Sequence, residues 1–176
     1  DLAKDTEVTA IEIHDGILFA GTPDGMAWAR TNQANLQDPD SWQTRRNTGP
    51  VADLVTAGGL VHAGTSLGTW TYDPELESFY HDFDQRGIRA IGALDDVGIA
   101  ATFAGDFVLR RDKGDWQRIG APIIDDVAAA SRSGQSHLWL GTSNGLRVVG
   151  LNAPVPTLSG EPGSSRFYEI AFAADD

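Results

Sequence analysis

The stretch ILFAGTPDGMAW, residues 17–28, decides the fold, because it reads as a strand, a tight turn and a second strand. Residues 60–70, LVHAGTSLGTW, repeat the same order of apolar strand, Gly-Thr pair, turn glycine and strand. Residues 97–108, VGIAATFAGDFV, are a third copy with Ala101 in place of the first glycine, and residues 137–148, HLWLGTSNGLRV, are a fourth. Each copy has a glycine three residues after its threonine, where a hairpin needs a residue that tolerates positive φ. The pattern therefore predicts four β-hairpins.

The spacing of these hairpins indicates a repeat protein. The shared threonine recurs at intervals of 43, 37 and 40 residues, at Thr22, Thr65, Thr102 and Thr142. A period of about 40–45 residues that holds several short strands is typical of a β-propeller blade, a small antiparallel sheet. Each hairpin would then supply the second and third strands of one blade.

The remaining strands are predicted from weaker patterns. A short motif with apolar first and fourth positions, read as the innermost strand of each blade, begins at residues 8, 51, 88, 124 and 167. Outer strands are predicted near residues 41–44, 78–80 and 115–119, whereas residues 151–165 of the fourth repeat read as a loop. We therefore expect an all-β chain of four β-propeller repeats of about 36–43 residues plus one extra inner strand.

The repeats predict a single β-propeller domain over residues 1–176. Its blades are expected at residues 8–50, 51–87, 88–123 and 124–166, with 167–176 as the start of a fifth repeat or a closing strand. Repeat proteins need neighbours to cover each sheet face. The chain could be a segment of a larger propeller, a small ring closed by its C-terminal strand, or one part of an assembly of chains. The first arrangement is favoured, because the sequence stops within a repeat.

The net charge of the chain limits the classes of partner that it is expected to bind. It has 25 Asp and Glu against 13 Lys and Arg, a net charge of −12. This charge would repel nucleic-acid phosphates and anionic membrane surfaces. The sequence has no signal segment and no apolar run long enough for a membrane span, so membrane insertion is not expected and the compartment stays unknown. Such acidity is typical of halophilic proteins in a high-salt environment, and an ordinary acidic surface is the alternative.

The repeats resemble known propeller families. Residues 111–116, RDKGDW, resemble the BNR or Asp-box repeat of sialidase-like, sortilin-like and photosystem-assembly-factor-like propellers, without the Ser or Thr before the Asp. Residues 137–146, HLWLGTSNGL, resemble the propeller repeats of two-component sensor ectodomains. Both resemblances imply a β-propeller, WD40-like in architecture. They imply little about function, because propellers carry many unrelated functions.

Three carboxylates form the candidate metal site. Asp53, Asp126 and Glu169 hold the third position of their inner-strand motifs. If that position faces the central axis, the three side chains would converge and could hold Ca²⁺ or Mg²⁺, which prefer oxygen ligands. The alternatives are that they face a water-filled channel or cap backbone N–H groups.

No catalytic residue and no cofactor site is predicted. By resemblance, sialidase chemistry would need a cluster of arginines and a tyrosine nucleophile, and Arg89 alone on an inner strand does not make that cluster. His62 occupies a position that is otherwise apolar, which predicts a packed core histidine. The absence of cysteine excludes disulfides and thiol chemistry.

We therefore expect a non-enzymatic scaffold that recognises a protein or a ligand through loops on one face of the propeller. The long loops Thr31–Ser41 and Leu151–Arg166 are the expected contact surfaces, because recognition concentrates on loops held by a rigid scaffold. The partner would be another protein, or further blades from the same or another chain. A sensor-type domain that binds a small ligand or cation at the axis is the alternative, and a glycan-processing enzyme is the third candidate.

Overall fold

The computed structural model describes residues 6–84, 86–94, 98–103, 107–112, 115–118, 127–131, 137–142, 145–150 and 158–159. Side chains are described for residues 6–84 and 86–93 and for Trp116. In this part of the chain, the regular structure is β-strands and one turn of 3-10 helix, Pro39–Ser41. No helix in these ranges is long and apolar enough to cross a membrane.

The strands form four sheets, each with four strands in the order of the sequence. The first contains β1 (Ala10–His14), β2 (Ile17–Thr22), β3 (Gly25–Arg30) and β4 (Gln43–Arg45). The second contains β5 (Val51–Ala57), β6 (Leu60–Thr65), β7 (Gly68–Asp73) and β8 (Ser78–Phe83). The third contains β9 (Ile88–Leu94), β10 (Gly98–Phe103), β11 (Phe107–Asp112) and β12 (Asp115–Arg118). The fourth contains β13 (Val127–Ser131), β14 (His137–Thr142), β15 (Gly145–Gly150) and β16 (Leu158–Ser159).

This arrangement confirms the predicted all-β repeat. Each predicted hairpin supplies the two middle strands of one sheet, and the edge strands β1, β5, β9 and β13 begin at or within three residues of the predicted inner strands at 8, 51, 88 and 124. The inner strand predicted from residue 167 lies outside the described residues. The fourth repeat departs from the prediction of a loop, because β16 pairs with Val148 and Val149 of β15 as an outer strand. A strand of two residues is too short to show the alternation by which strands are recognised in sequence.

The four sheets fall into two compact units. The sheets β1–β4 and β5–β8 belong to the first unit, and the sheets β9–β12 and β13–β16 belong to the second. The predicted blade boundaries and the single propeller domain stay predictions. Nearly all of the described side chains belong to the first unit. The packing of this unit is therefore described next, because it positions the candidate site.

Aromatic side chains form the core of the first unit. Phe19 and Trp28 project from one face of the first sheet, and Tyr72 and Phe79 project from the second sheet towards them. The rings meet edge to face, with centroids 4.9 Å apart for Phe19 and Tyr72 and 5.5 Å apart for Trp28 and Phe79. Such pairs stabilise a core by about 0.5–1.5 kcal/mol each beyond the burial of their area. The two sheets are therefore packed face to face by large side chains, as stacked blades require.

The recurring threonine ties its own hairpin turn. The Thr22 hydroxyl donates to the Gly25 carbonyl at 2.8 Å and accepts from the Asp24 N–H at 3.2 Å. The Thr65 hydroxyl repeats this arrangement with the Gly68 carbonyl at 2.9 Å and the Leu67 N–H at 3.1 Å. Both threonines are buried. In these two hairpins the threonine stands three residues before the turn glycine, and its one hydroxyl satisfies two backbone groups of the turn.

The turn glycine is needed for space as well as for its dihedral angle. Gly25 has φ +133°, and a Cβ atom there would lie 2.2 Å from the Arg45 carbonyl oxygen of the outer strand. Gly21, before the threonine, has a different role, because a Cβ atom there would lie 2.6 Å from Cγ1 of Val51 in the next sheet. Close packing of the Gly21 backbone against the Val51 side chain is therefore the reason for a glycine before Thr22.

Candidate functional site

The loop Thr31–Ser41 between β3 and β4 is exposed along nearly its whole length, and its own hydrogen bonds hold its shape. The Ser41 hydroxyl donates to the Asn35 carbonyl at 2.8 Å, and the Trp42 indole donates to the Leu36 carbonyl at 2.9 Å. Asp38 caps the 3-10 turn by accepting from the Asp40 N–H at 3.0 Å. The loop is therefore a defined surface feature.

The base of this loop is fixed to the β1–β2 turn. The Thr31 N–H and hydroxyl both donate to the Gly16 carbonyl, at 2.8 Å and 3.0 Å. Gly16 follows Asp15, which adopts a positive φ of 46° in the turn. The loop and the turn consequently lie at the same end of the first sheet.

The β7–β8 turn of the second sheet lies next to the Thr31–Ser41 loop. Arg30, directly before the loop, forms a hydrogen-bonded ion pair with Glu77 of this turn. The Asp73 carboxylate accepts the N–H groups of Glu75 and Leu76, at 2.8 Å and 3.1 Å. Leu76 is left 72% exposed at the tip. The ion pair is itself half exposed, so it contributes at most about 1 kcal/mol and serves mainly to set the position of the two loops.

We call these three segments, the Asp15–Gly16 turn, the Thr31–Ser41 loop and the Asp73–Ser78 turn, the loop surface. Its charge is strongly negative, because the three segments contain no Lys or Arg and have six carboxylates, at Asp15, Asp38, Asp40, Asp73, Glu75 and Glu77. Arg30, directly before the loop, is already paired with Glu77. A surface of this kind attracts cationic groups and repels phosphates. The second loop predicted from the sequence, Leu151–Arg166, lies outside the described residues except for Leu158 and Ser159.

The predicted axial carboxylates are described only in part. Asp53 lies half-buried on β5, and one of its oxygens accepts the Leu54 N–H at 2.9 Å, which is the backbone capping weighed above. Asp126 and Glu169 lie outside the described residues. Within the described ranges, no group of three or more His, Asp or Glu side chains could hold a metal. The cation site therefore stays a prediction, which melting of the chain and of Asp53→Asn with and without Ca²⁺ would test.

A second inner-strand carboxylate was missed by the sequence reading. Glu12 on β1 accepts a hydrogen bond from the Thr56 hydroxyl of β5 at 2.6 Å. The first repeat has Ala10 at the position that is acidic in three of the other four copies, so the motif gave no reason to look two residues further. The repeat pattern alone could not have found this contact, because it joins residues of different sheets.

His62 and Tyr72, side chains of types that catalysis could use, are packing residues. His62 is buried, as predicted, and its Nδ1 lies 2.9 Å from the Thr71 hydroxyl. Tyr72 is a core residue, and burial, with a smaller effect of the Glu77 charge, raises the pKa of its hydroxyl. A raised pKa disfavours the phenolate that a tyrosine nucleophile needs. Arg89 is exposed, and Tyr168 lies outside the described residues.

Comparison with known proteins identifies the fold. No protein-family model matches the chain, and no curated protein matches it either. Among solved structures, the chain is similar to PorZ of Porphyromonas gingivalis, described as an essential surface component of the type-IX secretion system (TM-score 0.64, 19% identity). It is similar to an auxiliary nutrient binding protein of Bacteroides thetaiotaomicron (0.68, 4%) and to the WD40 repeats of RRP9 (0.60, 12%).

These matches extend over nearly all of this chain but only part of the others. They cover 93%, 96% and 81% of the chain and 22%, 45% and 49% of PorZ, the nutrient binding protein and RRP9. The chain therefore spans less than half the length of each of these three proteins. Together with the four four-stranded sheets, the matches define an all-β chain of the propeller-repeat class, which looks like a partial propeller.

Proposed function

We propose that this chain is a non-enzymatic β-propeller module that recognises a protein partner through the loop surface. One observation carries the proposal: the exposed loop Thr31–Ser41 is held in one shape by its own hydrogen bonds. Binding by a loop that is already ordered loses less conformational entropy than binding by a flexible one. A rigid scaffold with an ordered and exposed loop is the usual arrangement for recognition.

The charge of the loop surface defines the chemistry of the partner. Six carboxylates around one paired arginine favour a cationic protein surface or peptide and disfavour nucleic acid. Leu76, exposed beside Glu75, adds an apolar side chain to this surface. Support at the level of the fold comes from PorZ and the nutrient binding protein, which are described as a secretion-system component and as a binding protein. The Asp-box resemblance and the halophilic character remain parts of this proposal.

A crosslinking experiment tests the proposal. The chain has no cysteine, so single-cysteine variants can carry a benzophenone at one chosen position. Gln33→Cys and Gln37→Cys place it on the loop, and Asp24→Cys and Asn47→Cys place it on exposed residues beyond the other ends of the strands. Each protein is irradiated in an extract of the source cells, and the adducts are identified by mass spectrometry.

The two loop positions should give the same protein adduct, and the two control positions should not. Excess unlabelled chain should suppress the adduct, whereas a chain with Asp38 and Asp40 replaced by Asn should suppress it at least tenfold less well, because two negative charges are removed. An asparagine oxygen at position 38 can still accept the N–H of residue 40, so the loop should keep its shape. Equal adducts from all four positions, or an adduct that the double variant suppresses as well as the original chain does, would contradict recognition through the loop surface.

A further inference from the structure

The inner-strand motif of the first repeat has exposed apolar side chains where the next two repeats have buried ones. Val8 and Ile11, its first and fourth positions, are 46% and 64% exposed. Ile13 continues the exposed group along β1 at 63%. We call these three residues the apolar edge. The side chains at the same first and fourth positions of the second and third repeats are at most 7% exposed: Val51, Leu54, Ile88 and Ile91.

The second repeat shows what buries the first position of the motif. In the first sheet, Ala10 of β1 lies opposite Gly21 of β2. A Cβ atom on Gly21 would lie 2.6 Å from Cγ1 of Val51 and 3.3 Å from Cβ of Ala10, so Val51 packs where this small pair leaves room. The Thr9 hydroxyl fixes the same contact by donating to the Val51 carbonyl at 2.7 Å. An Ala–Gly pair of the preceding sheet therefore receives the valine that begins the next repeat.

The fourth sheet has the same pair of residues in the same register. Ala128 of β13 lies opposite Gly141 of β14, and Gly141 directly precedes the recurring Thr142. The last described sheet thus offers the residue types that receive Val51 in the first sheet. Val8 is the valine that begins the first repeat, and at 46% exposure it is not buried in such a pair.

We propose that a second copy of this chain covers the apolar edge, with Val8 of one copy packed on the Ala128–Gly141 pair of the other. Each copy has both the valine and the pair, so two copies can make this contact twice and close as a dimer. On the same face of the first sheet, Ala27 and Ala29 of β3 are buried already, so the second copy covers the side of the sheet at β1.

The length of the chain supports a second copy as the occupant. The chain spans 45% of the nutrient binding protein and 49% of RRP9, so two copies together have about the length of one of these propeller-like proteins. A net charge of −12 on each copy opposes their association, and salt screens that repulsion while leaving the apolar contact in place. The dimer should therefore be favoured by concentrated potassium chloride.

Disulfide crosslinking between two single-cysteine variants tests the contact directly. The chain has no cysteine, so Val8→Cys and Ala128→Cys each carry one thiol and cannot form a disulfide within a chain. Under mild oxidation in concentrated potassium chloride, the mixture should give a disulfide dimer with one copy of each variant, at a yield several-fold above that of either variant alone. Asp24→Cys, at an exposed residue outside the apolar edge, should give no such increase when mixed with Ala128→Cys.

Sedimentation equilibrium measures the assembly without a crosslink. The original chain should have twice the mass of one chain at high salt and dissociate as the salt is lowered. Ile11→Lys should weaken the dimer at least about tenfold, because it places a charge in an apolar contact. Leu76→Lys makes the same change of charge at an exposed residue outside the apolar edge and should leave the dimer unchanged.

Three results would overturn the proposal: a chain that stays monomeric at every salt concentration, a dimer that Ile11→Lys forms as well as the original chain does, or Val8→Cys that links to itself as readily as to Ala128→Cys. The apolar edge shares no residue with the loop surface, so its failure is distinguishable from failure of the function proposed above.

Discussion

Replacement of Thr65 by valine tests the reason for the repeat motif. Valine keeps the shape and the branched carbon of threonine but removes the hydroxyl, which is fully buried in the turn. The Gly68 carbonyl loses its donor at 2.9 Å, and the Leu67 N–H loses its acceptor at 3.1 Å. A buried hydrogen bond contributes about 1 kcal/mol net, so the two bonds together predict a loss of about 2 kcal/mol in the free energy of unfolding.

That loss should be visible in simple denaturation experiments. For a chain of this size, about 1 kcal/mol lowers Tm by 2–4 °C, so Thr65→Val should melt about 4–8 °C lower. Urea unfolding followed by tryptophan fluorescence gives the free energy directly, with circular dichroism as the check that a single transition is observed. Amide exchange of the Leu67 N–H should accelerate in the variant, because its acceptor is gone.

Two further threonines make the comparison internal to the chain. Thr22→Val removes the equivalent pair of bonds from the first hairpin and should lose a similar amount. Thr31→Val removes an exposed bond to the Gly16 carbonyl, which water can replace, and should lose less than about 0.5 kcal/mol. If Thr65→Val is as stable as the original chain, or if Thr31→Val is equally destabilised, the hydroxyl is not what ties the turn.

The remaining predictions concern space and charge. In the same urea titration, Gly25→Ala should destabilise the chain by more than about 2 kcal/mol, because the added Cβ would lie 2.2 Å from the Arg45 carbonyl oxygen. Gly16→Ala has a positive φ of +72° but only an ordinary 3.8 Å contact, so it should lose about 1 kcal/mol. The pKa of the Tyr72 hydroxyl is raised above 10.0, the ordinary value for tyrosine, so its contribution to stability is complete below pH 10.0. That contribution is lost as the pH rises through the higher folded-state pKa, because the unfolded chain releases the proton first. Tyr72→Phe should remove the loss of stability at alkaline pH that comes from ionisation of Tyr72. If the urea midpoints of the variant and the original chain depend on pH in the same way, burial of Tyr72 does not contribute to that loss.

The sequence by itself determined the repeat and most of the strands. Hairpin positions, strand order and the need for Gly25 follow from interactions over a few residues, such as the Thr22 hydroxyl with the Gly25 carbonyl. Burial of His62 was predictable because it occupies a matched position that is apolar in the other repeats. The two-residue strand β16 was missed, because so short a segment carries no periodicity.

Contacts between the first two sheets were decided only by the tertiary structure. The Glu12–Thr56 hydrogen bond joins residues 44 positions apart, and Arg45 meets Trp70 across the sheet interface. The shape of the Thr31–Ser41 loop was equally beyond prediction, because irregular loops have no period and depend on individual side-chain to backbone bonds. A repeat pattern states which residues are equivalent in successive sheets. It does not state which side chains of two stacked faces meet, since that depends on the packing of the sheets in three dimensions.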